Sequence, residues 1–417
     1  MSIISNRNFR ALWASQTISN SGDTIFSLAV IWYVLTNTNS IILVGLVVAA
    51  SFLPDILVAP FAGTYIDRFN RRSILILSYI LQSVLVGGAG TLYFLHKLNF
   101  AFALFTVIGL GIGEQFSSPS NAAILPAVVD NENLMPANGL ISSSNSFNML
   151  GSNAIGGLLI VLFGVAAPFE YDAITFLIAA VLLNILPRAT GLANDSTHHE
   201  KMGDNNETII SRLRVGFHYL RNDGLLLRLA ILSTLVSFFA LGLQGIYAPY
   251  VKDDLSGGAA IYGYFLATFA FGSILGSLFV GKYGKNIQTG RLIMLGLVGQ
   301  AITILGLGFT HSAAIALSLW TMCGVSQSIN TVPYQSFLQT RISRSYYGRV
   351  STLMSSMIYM PAPILIILTS SVTSRLSPPI MLSTYGFAML LCIVISFATS
   401  KQLRKIDIKE QIGVTMI

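Results

Sequence analysis

Four carboxylates stand inside stretches that are otherwise apolar: Asp23 in SNSGDTIFSLAV, Asp55 in SFLPDILV, Glu114 in GIGEQFSS and Asp172 in EYDAITF. On insertion scales a carboxylate at the centre of a bilayer costs roughly 2.5–3.5 kcal/mol unless it is hydrated, paired or protonated. No lysine or arginine falls at the depth of Asp23, which leaves water, another acid or a proton as its company. A carboxyl whose hydration changes between two conformations can load a proton in one and release it in the other. The chemistry indicated is proton transfer, with Asp23 as carrier and Glu114 or Asp55 as an inner relay. Two alternatives stand beside it: Asp23 touches a ligand directly, or it packs or binds a cation with help from neighbours such as Asn20. By residue count Asp172 falls near the outer end of its segment, beside Glu170, where solvation or capping satisfies it.

Polar faces accompany these acids. Gln16, Asn20, Asp23 and Ser27 share one side of a helix, and Asn145, Asn148 and Ser152 repeat the spacing on another. Such stripes are costly against lipid, so they face a water-filled cavity or a neighbouring helix. The second half has no deep acid or base. It offers Gln244 and Tyr247, Gln327 and Asn330, and Met354 and Met357, a soft and adaptable set suited to varied amphiphilic ligands. A cavity with acids and no deep base favours neutral or cationic lipophilic cargo.

The elements that must position these residues follow from composition. The chain has 417 residues, 53% hydrophobic and 10% charged, with mean hydropathy +0.69, whereas a soluble domain carries about 25% charged residues. An all-α integral membrane protein is expected. Twelve apolar runs reach the roughly 20 residues needed to cross a bilayer: 9–35, 41–64, 73–95, 100–120, 138–163, 170–187, 226–250, 259–281, 290–309, 313–336, 350–373 and 380–400. With the N-terminus inside, all of the 24 lysines and arginines except Lys97, Lys252 and Arg375 fall on the cytoplasmic side, so both termini are expected there. The net charge of +7 is this bias, and it gives no reason to expect nucleic acid as a partner. The first run is too long for a signal-peptide core and lacks a small-residue cleavage site, so it is expected to remain as the first helix. Cys323 and Cys392 fall within spans ten and twelve as packing residues. No nucleophile, metal cluster or phosphate loop points to an enzyme.

Hydrophobicity collapses between Leu186 and Arg228, dividing the chain into an N-terminal bundle (1–190), a cytoplasmic linker with an amphipathic helix (191–225), a C-terminal bundle (226–400) and a cytoplasmic tail (401–417). Ile210, Leu213, Phe217 and Leu220 give the linker helix its apolar stripe, which suits the inner membrane surface. His198 and His199, adjacent in the polar linker, supply too few ligands for a metal. Gly63, Pro119 and Gly139 are echoed at nearly constant offset by Gly276, Pro333 and Gly348, so one half reads as a diverged copy of the other. Two pseudo-symmetric six-helix bundles around a central site form an architecture for alternating access.

Between the second and third runs lies GTYIDRFNRRS, a short loop with an aspartate placed to pair with arginines. It resembles the signature Gly-x-x-x-Asp-Arg-x-Gly-Arg-Arg/Lys of the major facilitator superfamily. Gly63, Asp67, Arg68, Arg71 and Arg72 match, and Asn70 replaces the usual glycine. The resemblance implies the major facilitator fold and a cytoplasmic gate made of those five residues. FRALWASQTISNSGDTIFSLAVIWYVLTNTNS, SPSNAAILPAVVDNENLMPANGL, YDAITFLIAA and QSFLQTRISRSYYGRV resemble the drug:proton antiporter branch that contains macrolide-efflux proteins. Gly22, Asp23 and Asp172 fall on positions where that branch has the same residues. Two features depart from it: Leu110 stands where many drug antiporters have an arginine, and the helix-five glycine motif is reduced to Gly156 and Gly157. The resemblance implies a monomeric exporter in the cell membrane that moves lipophilic cargo among membrane lipids. Its energy source would be the proton gradient, with no cofactor. Lysophospholipid translocation and siderophore export are alternatives within transport, and a non-transporting membrane sensor is one outside it.

Overall fold

The computed structural model describes residues 3–130, 133–187 and 209–399, and no strand occurs among them. The chain divides into two compact units, Met1–His199 with Gly257–Ala267, and Glu200–Ser256 with Thr268–Ile417. In order, the first eight helices are α1 (Arg7–Thr38), α2 (Ile41–Ser51), α3 (Leu53–Leu57), α4 (Ala59–Arg68), α5 (Arg71–Phe94), α6 (Phe100–Val128), α7 (Leu134–Phe163) and α8 (Ala166–Leu182). There follow α9 (Ile209–Asn222), α10 (Gly224–Gly242), α11 (Tyr247–Pro249), α12 (Ala259–Tyr283), α13 (Thr289–Leu307), α14 (Ala313–Arg341), α15 (Arg344–Tyr359), α16 (Ala362–Thr373) and α17 (Pro378–Thr399). The 191–208 part of the expected linker, with His198 and His199, and the 401–417 tail lie outside the described residues.

Nine helical stretches among the described residues are long and apolar enough to cross a membrane. The others expected from sequence fall short for identifiable reasons. With 32 and 29 residues, α1 and α14 have the length, but Gln16, Asn20 and Asp23 interrupt the one and Gln327, Asn330, Gln335 and Gln339 the other. The second run is divided into α2, α3 and α4, with Pro54 and Pro60 in the first turns of α3 and α4, where a missing N–H costs least. The run at 226–250 is also interrupted. After α10 the backbone tightens at Leu243–Ile246, passes through α11 and widens at Tyr250–Asp254. The run expected at 350–373 begins earlier, at Arg344, and breaks before α16, where Pro361 caps the new helix.

Helix starts are set by side chains that satisfy orphan amides. Asn6 Oδ1 accepts from the amides of Asn8 and Phe9 at 3.0 and 3.1 Å, and its Nδ2 donates to Val128 O at 2.7 Å, tying the start of α1 to the end of α6. Asn99 caps α6 by accepting from Phe102 N at 2.9 Å. Asp223 caps α10 through the amides of Leu225 and Leu226, at 3.1 and 3.2 Å.

Small residues let helices approach within each unit. Along α5, Ser83, Gly87 and Gly90 face α8: Ser83 Oγ donates to Ala173 O at 2.8 Å, and a Cβ on Gly87 or Gly90 would lie 3.4 Å from Ala173 Cβ or 3.3 Å from Phe169 Cβ. In the second unit Ser328 Oγ of α14 donates to Ser273 O of α12 at 2.7 Å. Gly324 of α14 lies directly against Phe269 O and Ser273 N of α12. Two of the residues paired in the expected internal copy, Pro119 and Pro333, stand at nearly the same place in α6 and α14, which both run 29 residues.

Gly324→Leu is therefore expected to lower stability by about 1–3 kcal/mol, since the side chain would be forced into the backbone of α12. Gly281→Ala, at a position with open space, is the control that does not lower it. Thermal unfolding of both variants in detergent reads the difference.

Candidate functional site

Two of the acids, Asp23 and Asp172, lie at the middle of α1. Gly22 lies halfway along that helix and presents bare backbone to α8, where a Cβ would collide with Asp172 Oδ1 and Thr175 Oγ1 and sit 3.0 Å from Asp172 Cα. Phe26 packs on Phe169 one turn further along, with ring centroids 5.0 Å apart. This contact corrects the sequence-based placement of Asp172. Because α8 starts at Ala166, well short of the level where α1 ends, Asp172 stands opposite the centre of α1 instead of near an outer surface. It is 0% exposed.

Asp23, next to Gly22, is partly accessible and has no hydrogen-bond partner among the described residues. Asp172 and Glu114 both lie within electrostatic range of it, and Asp55 lies within range of Glu114. Glu114 is exposed although it sits in a membrane-length helix, and Ser117 Oγ donates to its Oε2 at 3.3 Å. Asp55, also exposed, accepts from Gln115 Nε2 at 2.5 Å. Among the described residues none of the four acids is paired with a lysine or arginine, the ion pair found being Arg341–Asp223.

A buried polar seam runs beside this line, and the sequence reading missed it. Tyr79 Oη accepts from Ser19 Oγ at 3.3 Å and from Asn121 Nδ2 at 3.1 Å, while the Tyr79 ring packs on Phe176. Gln82 Nε2 donates to Leu110 O at 3.2 Å. Gln82 Oε1, Ser120 Oγ, Asn121 Oδ1 and Asp172 Oδ2 are buried oxygens that have no partner among the described residues. Tyr79 and Gln82 share one face of α5 at i and i+3. That spacing was the available signal, and an uncharged pair in an apolar helix makes it weak.

The polar face of α7 docks on α1. Asn20 Nδ2 donates to Asn145 Oδ1 at 3.0 Å, Asn148 Nδ2 to Thr17 O at 2.7 Å, and Trp13 Nε1 to Ser144 Oγ at 2.9 Å. Gln16 is half-buried, Ser27 exposed and Ser152 buried. In the second unit Gln300 Nε2 donates to Gln327 Oε1 at 2.7 Å, and Asn330 lies against Gly296. Gln244 and Met357 are half-buried, whereas Tyr247 and Met354 are buried, Tyr247 with its ring 4.8 Å from that of Trp320.

Of the five gate residues, Gly63, Asp67 and Arg68 fall within α4, and their side chains lie outside the described part. Arg71 and Arg72 open α5. Arg72 Nε donates to Leu183 O at 3.0 Å and its Nη2 to Asn184 Oδ1 at 3.1 Å, closing the end of α8. Asn70, the departure from the glycine of the motif, has φ −65° and accepts from Ser73 N at 3.1 Å. No left-handed backbone is needed there, and the asparagine supplies a helix cap that glycine lacks. A comparable tie in the second unit joins Arg341 Nε, in the last turn of α14, to Asp223 Oδ2 at 2.8 Å, where a cation suits the helix dipole.

The membrane-length helices, several of them broken at prolines, agree in fold with solved structures. A bacterial homologue of the iron transporter ferroportin in an inward-facing state superposes with TM-score 0.74 at 17% identity, covering 96% of this chain and 100% of that one. A bacterial homologue of the human lysosomal transporter Spinster, inward-facing and unoccupied, gives 0.67 at 18%, covering 95% of each. The family model described as transmembrane secretion effector matches residues 1–415, and the chain belongs to that family within the major facilitator superfamily. It is similar to macrolide efflux protein A of Streptococcus pyogenes, 25% identical over 418 residues, 96% of this chain and 98% of the relative. It is also similar to the enterobactin exporter EntS of Shigella boydii, 24% identical over 401 residues, 95% and 92% of the two chains. The protein is a multi-pass membrane transporter and not an enzyme.

Tyr79→Phe keeps the ring against Phe176 but strands the buried Asn121 amide. The expected cost is about 1–3 kcal/mol, read as a lower thermal midpoint in detergent.

Proposed function

We propose that the protein exports lipophilic, neutral or cationic amphiphiles from the cytoplasm by alternating access, with protons moving inward in exchange. The observation that carries this reading is the line Asp23, Glu114 and Asp55: acids in apolar runs without a basic partner among the described residues, two of them open to accessible space. An acid that stays hydrated in one conformation and is shut from water in another couples proton occupancy to the conformational change. Asp23 carries the coupling proton, and Glu114 and Asp55 relay it. The polar positions Gln16, Asn20, Ser27, Asn145 and Asn148, with Gln244, Gln327, Asn330 and Met357, contact cargo during the cycle, and Ser152, Tyr247 and Met354 join them as helices reposition. A similarity to a macrolide efflux protein and to an enterobactin exporter supports the outward direction.

The wider arrangement belongs to the same reading. Counting α1, the α2–α4 run and α14 with the nine apolar stretches makes twelve spans. Residues 1–190 and 226–400 form the two bundles, the 191–225 linker and 401–417 tail are cytoplasmic, and the protein works as a monomer in the cell membrane with both termini inside. Gly63, Asp67, Arg68, Arg71 and Arg72 close the cytoplasmic side. The proton gradient supplies the energy, and no cofactor takes part.

Reconstitution into liposomes with an imposed pH gradient tests this, using erythromycin, ethidium and lysophosphatidylcholine as probes. Gradient-dependent movement of at least one cationic probe is expected in the native protein, and its loss in Asp23→Asn with gradient-independent exchange retained. Movement of every probe indifferent to the gradient, or full coupling in Asp23→Asn, overturns the reading.

A further inference from the structure

We propose that Asp172 stays protonated and that its Oδ2–H serves as hydrogen-bond donor to Asp23, so that the coupling group is a pair of carboxyls across α1 and α8. The inference rests on the proton-coupled reading of Asp23 and adds a positioning residue to it. Asp172 is 0% exposed, and its Oδ1 accepts from Thr175 Oγ1 at 3.3 Å. Its Oδ2 is buried without a partner. An ionised, unpaired carboxylate in that position carries a desolvation penalty that no partner among the described residues offsets.

The groups facing Asp172 identify the acceptor. From α1 there is Asp23, adjacent to the glycine on which Asp172 packs. The nearest titratable group on α5 is Tyr79, whose hydroxyl is engaged by Ser19 and Asn121. Glu114, on α6, is bonded to Ser117, and α7 contains no ionisable residue. On α8 itself Glu170 turns toward Gly90, and Tyr171 shares a hydrogen bond with Ser21 at 3.3 Å. No lysine or arginine among the described residues is paired with the site. Two carboxylates cannot hydrogen-bond to each other, whereas a carboxyl and a carboxylate can, and neighbouring buried acids share one proton for this reason.

The division of labour follows from accessibility. Asp172 is sealed and Asp23 is not, so the proton on Asp172 is resident and the exchanging proton sits on Asp23. The pair alternates between one proton and two, and the doubly ionised form never arises. Gly22 makes this possible, because any side chain there would hold the two helices apart.

Infrared spectroscopy of the full-length protein in detergent tests the resident proton directly through the carbonyl stretch of a protonated carboxyl. At neutral pH the native protein and Asp23→Asn are expected to show a pH-insensitive component of this band, and Asp172→Asn to lose that component. A band unchanged in Asp172→Asn overturns the inference while leaving Asp23→Asn free to test coupling by itself. In liposomes, Asp172→Asn retains a donor and is expected to keep gradient-driven movement of the cationic probe. Asp172→Val removes the donor and is expected to displace the pH profile of that movement to the alkaline side, with gradient-independent exchange retained as proof of folding. Loss of coupling in Asp172→Asn, with exchange intact, would instead make Asp172 the exchanging acid and overturn the assignment. A profile in Asp172→Val identical to the native one also overturns it.

Discussion

The close approach of α1 and α8 at Gly22 is the contact on which the rest of the first unit depends. It places Asp172 against the middle of α1 and brings a sealed acid beside an accessible one. Membrane helices have little hydrophobic drive toward one another, so such approach comes from missing side chains and from dispersion between closely packed backbones. The same device recurs along α5, where Ser83, Gly87 and Gly90 seat α8, and in the second unit, where Gly324 seats α12. Polar groups are then held at distances that larger residues would forbid.

Around that contact the polar groups divide by accessibility. Tyr79, Asn121 and Gln82 form a buried seam with several oxygens unsatisfied, while Asp23, Glu114 and Asp55 reach accessible space. The hydrogen bonds made in this seam join α1, α5 and α6 through Ser19, Tyr79 and Asn121, and an acid open to water retains the freedom to change its charge. Ties at the helix ends complete the frame: Asn6 to Val128, Arg72 to Leu183 and Asn184, and Arg341 to Asp223 each join two helices within one unit. Breaks in the α2–α4 run, after α10 and before α16 supply places where the backbone can bend without losing a whole helix.

Much of this was legible in the residues themselves. Hydropathy located the nine membrane-length stretches found among the described residues, because crossing hydrocarbon demands about 20 apolar residues whatever the neighbours are. The GTYIDRFNRRS stretch pointed to the superfamily, and the amphipathic spacing from Ile210 to Leu220 lies within α9. Less legible were breaks inside runs. Pro54 announced one, and Pro249 stands immediately before the widened turn at Tyr250–Asp254, but a proline does not fix whether the turn beside it tightens or widens.

Depth was the quantity that sequence could not supply. Counting residues assumes that every helix starts at the same level, and α8 does not, so Asp172 was placed near a surface it does not reach. Tyr79 and Asn121, on different helices, acquire meaning only when packing brings their polar atoms within 3.1 Å. Asn70 departs from its motif in sequence, and only its backbone angles reveal it as a helix cap. By itself the sequence determined that this chain lives in a membrane and which acids would be costly there, because those costs belong to single side chains against lipid. The tertiary structure decided which acids share a site, because that depends on distances set by the packing of helices remote in sequence.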